Sequence, residues 1–225
     1  MLRDHGNGTF QPSVSVQGGV SNETSIVAAD ANGDGITDLF VGGYSSQNVA
    51  ILLGNGAGGF TVSGTVAAGG RPWMMATGDV DRDGNADVVA CLSNTGRVSV
   101  MRGNGAGGFF PAVTFPCGPF SLAIDLGDID GDGDLDIMSS SYSAGTFSVF
   151  RNLGNGTYGP EVVLQAQGAG SCVIFADLDG DEDMEGDDAG EDKEELRDRL
   201  HTLNPDITAM DKGGDIFLQI WYNIS

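Results

Sequence analysis

Aspartate recurs at alternate positions in four short segments of the chain. They read DANGDGITD from Asp30, DVDRDGNAD from Asp79, DIDGDGDLD from Asp128 and DLDGDEDME from Asp177. The first three share the pattern D-x-[DN]-x-D-G-x-x-D. In a tight loop, alternating residues turn positions 1, 3 and 5 toward a common point. Glycine at position 6 tolerates the positive φ of a sharp turn. Position 7 can add its carbonyl, and the acid at position 9 closes the shell. An all-oxygen set of this kind suits calcium, which takes six to eight oxygens at about 2.3–2.6 Å. The first site is read as Asp30, Asn32, Asp34 and Asp38 with the carbonyl of Ile36. The second is Asp79, Asp81, Asp83 and Asp87 with that of Asn85. The third is Asp128, Asp130, Asp132 and Asp136 with that of Asp134. Magnesium fits less well, because it takes few carboxylates and keeps several waters. In an EF-hand the closing acid sits at position 12 between helices, which this spacing excludes. In the fourth segment Glu182 replaces the glycine and Glu185 the last aspartate. Asp177, Asp179 and Asp181 remain there as a degraded site.

The elements that position these loops follow from a repeat. The four segments begin 49 residues apart, and a second motif recurs with them: GNGTF, GNGAGGF, GNGAGGFF and GNGTYGP, around Asn7, Asn55, Asn104 and Asn155. Between the motifs lie short β-rich runs: 25–29, 38–41, 49–53 and 60–66 in the first repeat, 73–77, 86–92, 97–101 and 109–115 in the second, 120–124, 135–139, 146–150 and 160–165 in the third. Four short strands per repeat of this length predict an all-β fold, a β-propeller of four-stranded blades. One blade cannot bury both of its faces, so blades must stack. The chain reads as a single repeat domain over 1–225, with repeats at about 17–66, 67–115, 116–165 and 166–225. Residues 1–16 supply an outer strand (10–16).

The last repeat departs from the pattern. An acidic insert over 184–214, read as a short charged helix or a disordered segment, interrupts it. Phe217-Leu-Gln-Ile-Trp-Tyr-Asn223 aligns with the third strand, Phe147-Ser-Val-Phe-Arg-Asn152. The missing fourth strand is then the N-terminal one, which predicts ring closure, either within one chain as four blades or between chains of a homo-oligomer.

Composition removes other classes. The 225 residues carry 32 acidic and 10 basic side chains, a net charge of −22. Such a surface repels nucleic acid and anionic lipid. No run approaches the ~20 apolar residues of a membrane span. MLRDHGNGTF at the start lacks the apolar core of a signal peptide. Three cysteines (Cys91, Cys117, Cys172) give no disulfide framework and read as buried small hydrophobes. His5 and His201 lie outside the repeat, and no nucleophile–base pairing stands out, so the chain is read as non-enzymatic. Gly54–Gly59 and Gly103–Gly108 match G-x-G-x-x-G, but a strand rather than a helix follows, so they read as hairpin turns. The sequons at Asn7, Asn22, Asn155 and Asn223 arise easily in a glycine-rich chain. Trp73, Trp221, Tyr44, Tyr142 and Tyr158 could stack on sugars, with Trp73 expected between blades.

The acidic loops and the in-phase GNG segments resemble the FG-GAP/VCBS repeats of integrin-α-like propellers, over roughly residues 1–185. The resemblance implies calcium in loops between the first two strands of each blade. It also implies an extracellular or cell-surface setting and an adhesion or protein-interaction role with a protein or glycan partner. Calcium-dependent carbohydrate-binding lectins and accessory domains of larger secreted enzymes occur in the same family and are the alternatives.

Overall fold

The structure is a computed structural model that describes residues 6–9, 15–165, 172–175, 207–212 and 215–220. Three four-stranded antiparallel sheets follow one another along the chain, each in sequential strand order. The first contains β1 (Glu23–Ala29), β2 (Asp38–Gly43), β3 (Asn48–Gly54) and β4 (Phe60–Ala67). The second contains β5 (Pro72–Gly78), β6 (Asp87–Leu92), β7 (Arg97–Met101) and β8 (Val113–Pro116). The third contains β9 (Ser121–Gly127), β10 (Asp136–Ser141), β11 (Thr146–Phe150) and β12 (Val162–Gln165). The fold is all-β and propeller-like. Among the described residues there is no helix, hence none long and apolar enough to cross a membrane.

Burial explains the strand sequences. β6 (DVVACL) and β10 (DIMSSS) are buried at every residue. A strand covered on both faces reads as a continuous run, not an alternation. The outermost β12 alternates between half-buried and exposed, and β4 does so after three successive exposed residues. One core joins Phe40, Val49 and Ile51 of the first sheet to Met75, Val88, Leu92 and Met101 of the second. Another joins Val89, Cys91 and Val98 to Ile124, Ile137 and Phe150 of the third. Each sheet therefore completes its core only against the next blade. Buried serines of the third sheet are satisfied: Ser139 donates to the Ala123 carbonyl at 3.1 Å, and Ser141 to that of Pro119 at 2.6 Å.

Two outer strands start later than the sequence predicts. β8 begins at Val113 and β12 at Val162, after Pro111 and Pro160. Proline has no N–H for the ladder and a fixed φ. Only isolated bridges, Gly103↔Phe109 and Asn152↔Tyr158, precede these strands. Val62 holds the place of Pro111 in the first repeat, and β4 runs for 8 residues.

The fourth sheet is built differently from the expectation. It contains β13 (Ile174–Phe175), β14 (Ile207–Lys212) and β15 (Asp215–Ile220) in the order β13-β15-β14. β15 lies beside the blade's first strand, with Ile174 opposite Leu218, so it fills the second place and not the third. Residues 207–212, placed by the sequence in the acidic insert, form a strand that pairs with β15. In the sequence a Gly-Gly pair separates the two runs, a composition that favours a two-residue hairpin connection. The fourth acidic loop, residues 10–14 and the charged stretch 186–200 lie outside the described residues.

Candidate metal centres

Each of the three intact acidic loops connects the first and second strands of its sheet, so the position-9 acid opens the second strand. Asp38, Asp87 and Asp136 are fully buried. Both oxygens of each accept backbone N–H groups. Asp87 Oδ2 takes that of Val80 at 2.8 Å, and Oδ1 that of Gly103 at 2.7 Å. Asp38 is held by Ala31 (2.9 Å) and Gly54 (2.7 Å), and Asp136 by Ile129 (3.1 Å) and Asn152 (2.7 Å). The acid thus ties its loop to the end of the blade's third strand. Burial pushes Asp87 and Asp136 up to about 6, against the lowering effect of those amides. Such a group is ready to lose its proton once a positive charge arrives beside it.

The partner glycines explain why the two repeat motifs share a period. Gly54 and Gly103 open the GNG loops and donate to the position-9 acid. A Cβ at either would stand 2.3 Å from a backbone oxygen, that of Thr37 or Ala86. In the third repeat Asn152 stands there and donates from Nδ2 to the carbonyls of Val80 (2.8 Å) and Leu135 (3.1 Å). The rest of the GNG loop is a turn, as expected: Asn55 Oδ1 accepts the N–H groups of Ala57 (2.9 Å) and Gly59 (2.8 Å) before β4 begins. The sequence reading took these loops only as turns and missed their hold on the acidic loop.

Position 1 is the hub of each loop. Asp30 accepts the N–H of Gly35 at 2.7 Å and that of Gly33 at 2.8 Å. These bonds, Gly35's foremost, hold its carboxyl below the ordinary range. Asp79 accepts from Gly84 at 2.8 Å and Asp128 from Gly133 at 2.6 Å. In Asp30 and Asp79 both oxygens accept loop amides; in Asp128 Gly133 holds Oδ2 and Oδ1 is left without a partner. Position 5 turns back on the loop: Asp34, Asp83 and Asp132 accept the N–H groups of Ile36, Asn85 and Asp134, each at 2.8 Å.

Positions 1, 3 and 9 converge in two loops. Asp79, Asp81 and Asp87 bring carboxylate oxygens within 4.8 Å of one another, and so do Asp128, Asp130 and Asp136. Asp81 Oδ1, Asp128 Oδ1 and Asp130 Oδ1 are buried without a hydrogen-bond partner. Buried polar atoms are nearly always satisfied, so these orphaned acceptors fit a cation held between them. Asp83 and Asp132, expected as ligands, stand outside the clusters. In the first loop Asn32 Nδ2 donates to Asp34 Oδ2 at 3.0 Å, and no such cluster forms there. Asp177, Asp179 and Asp181 lie outside the described residues.

Three arginines at these loops were not foreseen. Arg102 and Arg151 directly follow the third strands of their blades. Arg102 Nη1 lies 3.0 Å from Asp81 Oδ2, and Arg151 pairs with Asp130 in the same way. Arg82, in the second loop, crosses to the third: its Nε lies 2.9 Å from Asp134 Oδ1, and Nη2 donates to the Asp132 carbonyl at 2.8 Å. The 49-residue separation of Arg102 and Arg151 was the available signal.

A family model described as FG-GAP-like repeat matches residues 30–90, 79–139 and 128–185. The chain belongs to the FG-GAP-like repeat family. No curated protein matches it. Among solved structures, an Agrocybe aegerita lectin that recognises non-reducing terminal N-acetylglucosamine is 27% identical with a TM-score of 0.51. The alignment covers 74% of this FG-GAP chain and 46% of the lectin, so the chain spans about half the lectin's length. A Photorhabdus luminescens Tc holotoxin pore is 25% identical over 62% of this chain and 7% of that one, with a TM-score of 0.39. BBS1N, in complex with ARL6DN, is 14% identical over 96% and 67%, with a TM-score of 0.36. Neither of the last two resembles the fold closely enough to inform the site.

At the opposite end of the FG-GAP blades, the turns after the second strands carry aromatic side chains. Tyr44 meets Trp73 of the next blade edge-on at 5.9 Å, and Arg71 lies 4.9 Å from the Tyr44 ring centroid. Trp73 is 40% exposed, so it bounds the cleft between blades and does not fill it. Phe120 and Tyr142 form a second edge-on pair at 6.1 Å. Tyr158 packs on Phe115 at 5.6 Å, inside the blades and away from any surface ligand; Trp221 is outside the described residues. Burial pushes the Cys91 thiol up to about 12 and raises that of Cys117, which makes poor nucleophiles of both. All three cysteines are free, and Cys172 is only half-buried.

Proposed function

We propose that this FG-GAP chain is a calcium-binding, non-enzymatic propeller that serves outside the cell as an adhesion or protein-interaction module. The observation that carries this reading is the set of buried, unpartnered oxygens on Asp81, Asp128 and Asp130. Asp79, Asp81 and Asp87 hold one ion, and Asp128, Asp130 and Asp136 a second. Asp30, Asn32, Asp34 and Asp38 hold a third once the Asn32 amide turns its oxygen inward. The degraded fourth loop offers Asp177, Asp179 and Asp181. A bound cation supplies positive charge to the buried oxygens that the arginines leave without a partner. The backbone amides on the position-1 and position-9 acids hold the donor oxygens in place before the ion enters.

The ion's work is structural. Binding to the native state alone stabilises it by about 2.7 kcal/mol per site at a hundredfold excess over Kd. For a chain of this size, each kcal/mol shifts the melting temperature by about 2–4 °C. Three sites predict a rise of about 15–30 °C in millimolar calcium over chelator, with little effect of magnesium. Thermal unfolding under the three conditions is the test. Equal melting temperatures would reduce the loops to solvated acidic turns.

A second reading is a glycan-binding module. The lectin similarity favours it, together with the exposed Tyr44–Trp73 pair beside Arg71, since aromatic faces stack on sugar rings. A glycan array on the calcium-loaded chain decides between the two: retention of a sugar that Trp73→Ala abolishes selects the lectin reading, and a blank array selects protein partners.

A further inference from the structure

The three intact loops differ in formal charge. The first contains three acids, Asp30, Asp34 and Asp38. The second contains four, Asp79, Asp81, Asp83 and Asp87. The third contains five, Asp128, Asp130, Asp132, Asp134 and Asp136. The arginines increase with the acids. Among the described residues no basic side chain pairs with the first loop, Arg102 pairs with Asp81 of the second, and Arg151 and Arg82 pair with Asp130 and Asp134 of the third. Each loop is left with three uncompensated carboxylates.

The substitutions between repeats move together. Where position 3 is Asn32, the place of Arg102 and Arg151 is held by Leu53; where position 3 is Asp81 or Asp130, an arginine stands there. Arg82 is the more telling case. It adopts φ 58°, whereas glycines occupy the same loop position elsewhere, Gly33 at 73° and Gly131 at 71°. A left-handed conformation is unfavourable for any residue with a Cβ. The chain keeps a strained arginine in the second loop, and its guanidinium serves the third, the loop with one acid too many.

We infer that Arg82, Arg102 and Arg151 equalise the charge of the three cation loops, so that each takes one divalent ion with similar affinity, and that Arg82 links the second loop to the third. This rests on the calcium reading above. Arg102 and Arg151 take one oxygen, Oδ2, of the position-3 acids and Arg82 takes the position-7 acid Asp134, while Oδ1 of Asp81 and of Asp130 stays with the acids of positions 1 and 9. A loop with four uncompensated acids would bind its cation more tightly, and without a cation it would repel itself more strongly. Both effects are screened, because the guanidinium groups are half exposed.

The test is a calcium titration of the whole chain by calorimetry, with melting in chelator alongside. The wild type is expected to titrate as one set of sites. Arg82→Gly should split the titration, with one site tighter by about two- to fivefold, and should lower the melting temperature in chelator although glycine suits the backbone there. Arg151→Leu, which copies the first repeat, should do the same independently, and Arg82→Lys should keep the single set. If Arg82 served only to brace the loop, Arg82→Gly would leave the affinities alone or weaken one; either result overturns the inference, as does a higher melting temperature of Arg82→Gly in chelator. A wild type that binds no calcium overturns the underlying reading instead, before any variant is compared.

Discussion

Two acids of one loop, a few ångströms apart, respond to opposite physical demands. Asp87 gives both oxygens to backbone N–H groups, whereas Asp81 keeps Oδ1 buried and unpartnered. In Asp87→Asn one oxygen becomes an NH2 that faces a backbone N–H, so a buried donor loses its acceptor. The cost should be about 2–3 kcal/mol in chelator as well as in calcium. Asp81→Asn copies the first loop, where Asn32 stands. It takes one carboxylate from the cluster and leaves the half-exposed Arg102 guanidinium without its partner, so stability in chelator should change by less than about 1 kcal/mol, while the gain from calcium shrinks. Parallel denaturation of the two variants with and without calcium separates an acid that also braces the fold from one that serves the ion alone; equal losses for both under both conditions would erase the distinction. The same buried acids set a pH dependence. Asp87 and Asp136 are raised to about 6 from an ordinary value of 3.8. In the folded state they favour the protonated form, so their contribution is fully present below about 4 and fades as the pH rises through about 6. In chelator, melting should therefore rise as the pH falls from 7.5 to 5. In calcium the trend should reverse, because protons then compete with the ion. A flat chelator profile over this range would show that these acids are ionised without help.

At the scale of the element, the third strand and its GNG loop are as much a part of the metal centre as the acidic loop. Gly103→Ala places a Cβ against the Ala86 carbonyl and displaces the N–H that Asp87 accepts. A loss of about 3 kcal/mol is expected, read as a lower urea midpoint with an unchanged m-value. A loss below about 0.5 kcal/mol would mean that the strand end shifts freely. The repeat made much of this legible. Two motifs in one 49-residue period marked the blades, and the alternation of acids marked positions 1, 3 and 9. What stayed hidden depends on contacts across the repeat: an N–H of Gly54 or Gly103 has no signature in the side chains, and the reach of Arg82 into the next blade joins residues 50 apart. The late starts of β8 and β12 were written in Pro111 and Pro160 but were outvoted by the aromatic residues around them. In the fourth repeat, aligning residues 217–223 by similarity favoured a third-strand place. In the structure β14 instead pairs with β15, and β15 lies beside β13.

At the scale of the whole molecule, the charge of −22 is unevenly spread, since 12 of the 32 acids lie in the three intact loops. Self-repulsion destabilises a compact state, and it is strongest where like charges are close and desolvated. Salt and calcium relieve it differently. Sodium chloride shortens the Debye length to about 3 Å at 1 M and weakens repulsion across the whole surface. Calcium acts only where several oxygens converge. If the loops carry most of the repulsive energy, melting in chelator should climb steeply between low salt and 0.5 M sodium chloride, and the slope should flatten once calcium is bound, because the steepest repulsion is already neutralised. If the repulsion is spread over the blades, the two slopes should match, and calcium would raise both curves by a constant amount. Melting curves at four or five salt concentrations, with and without calcium, distinguish the two. The clustering of acids at one end of the blades, with arginines against the surplus, argues for the first.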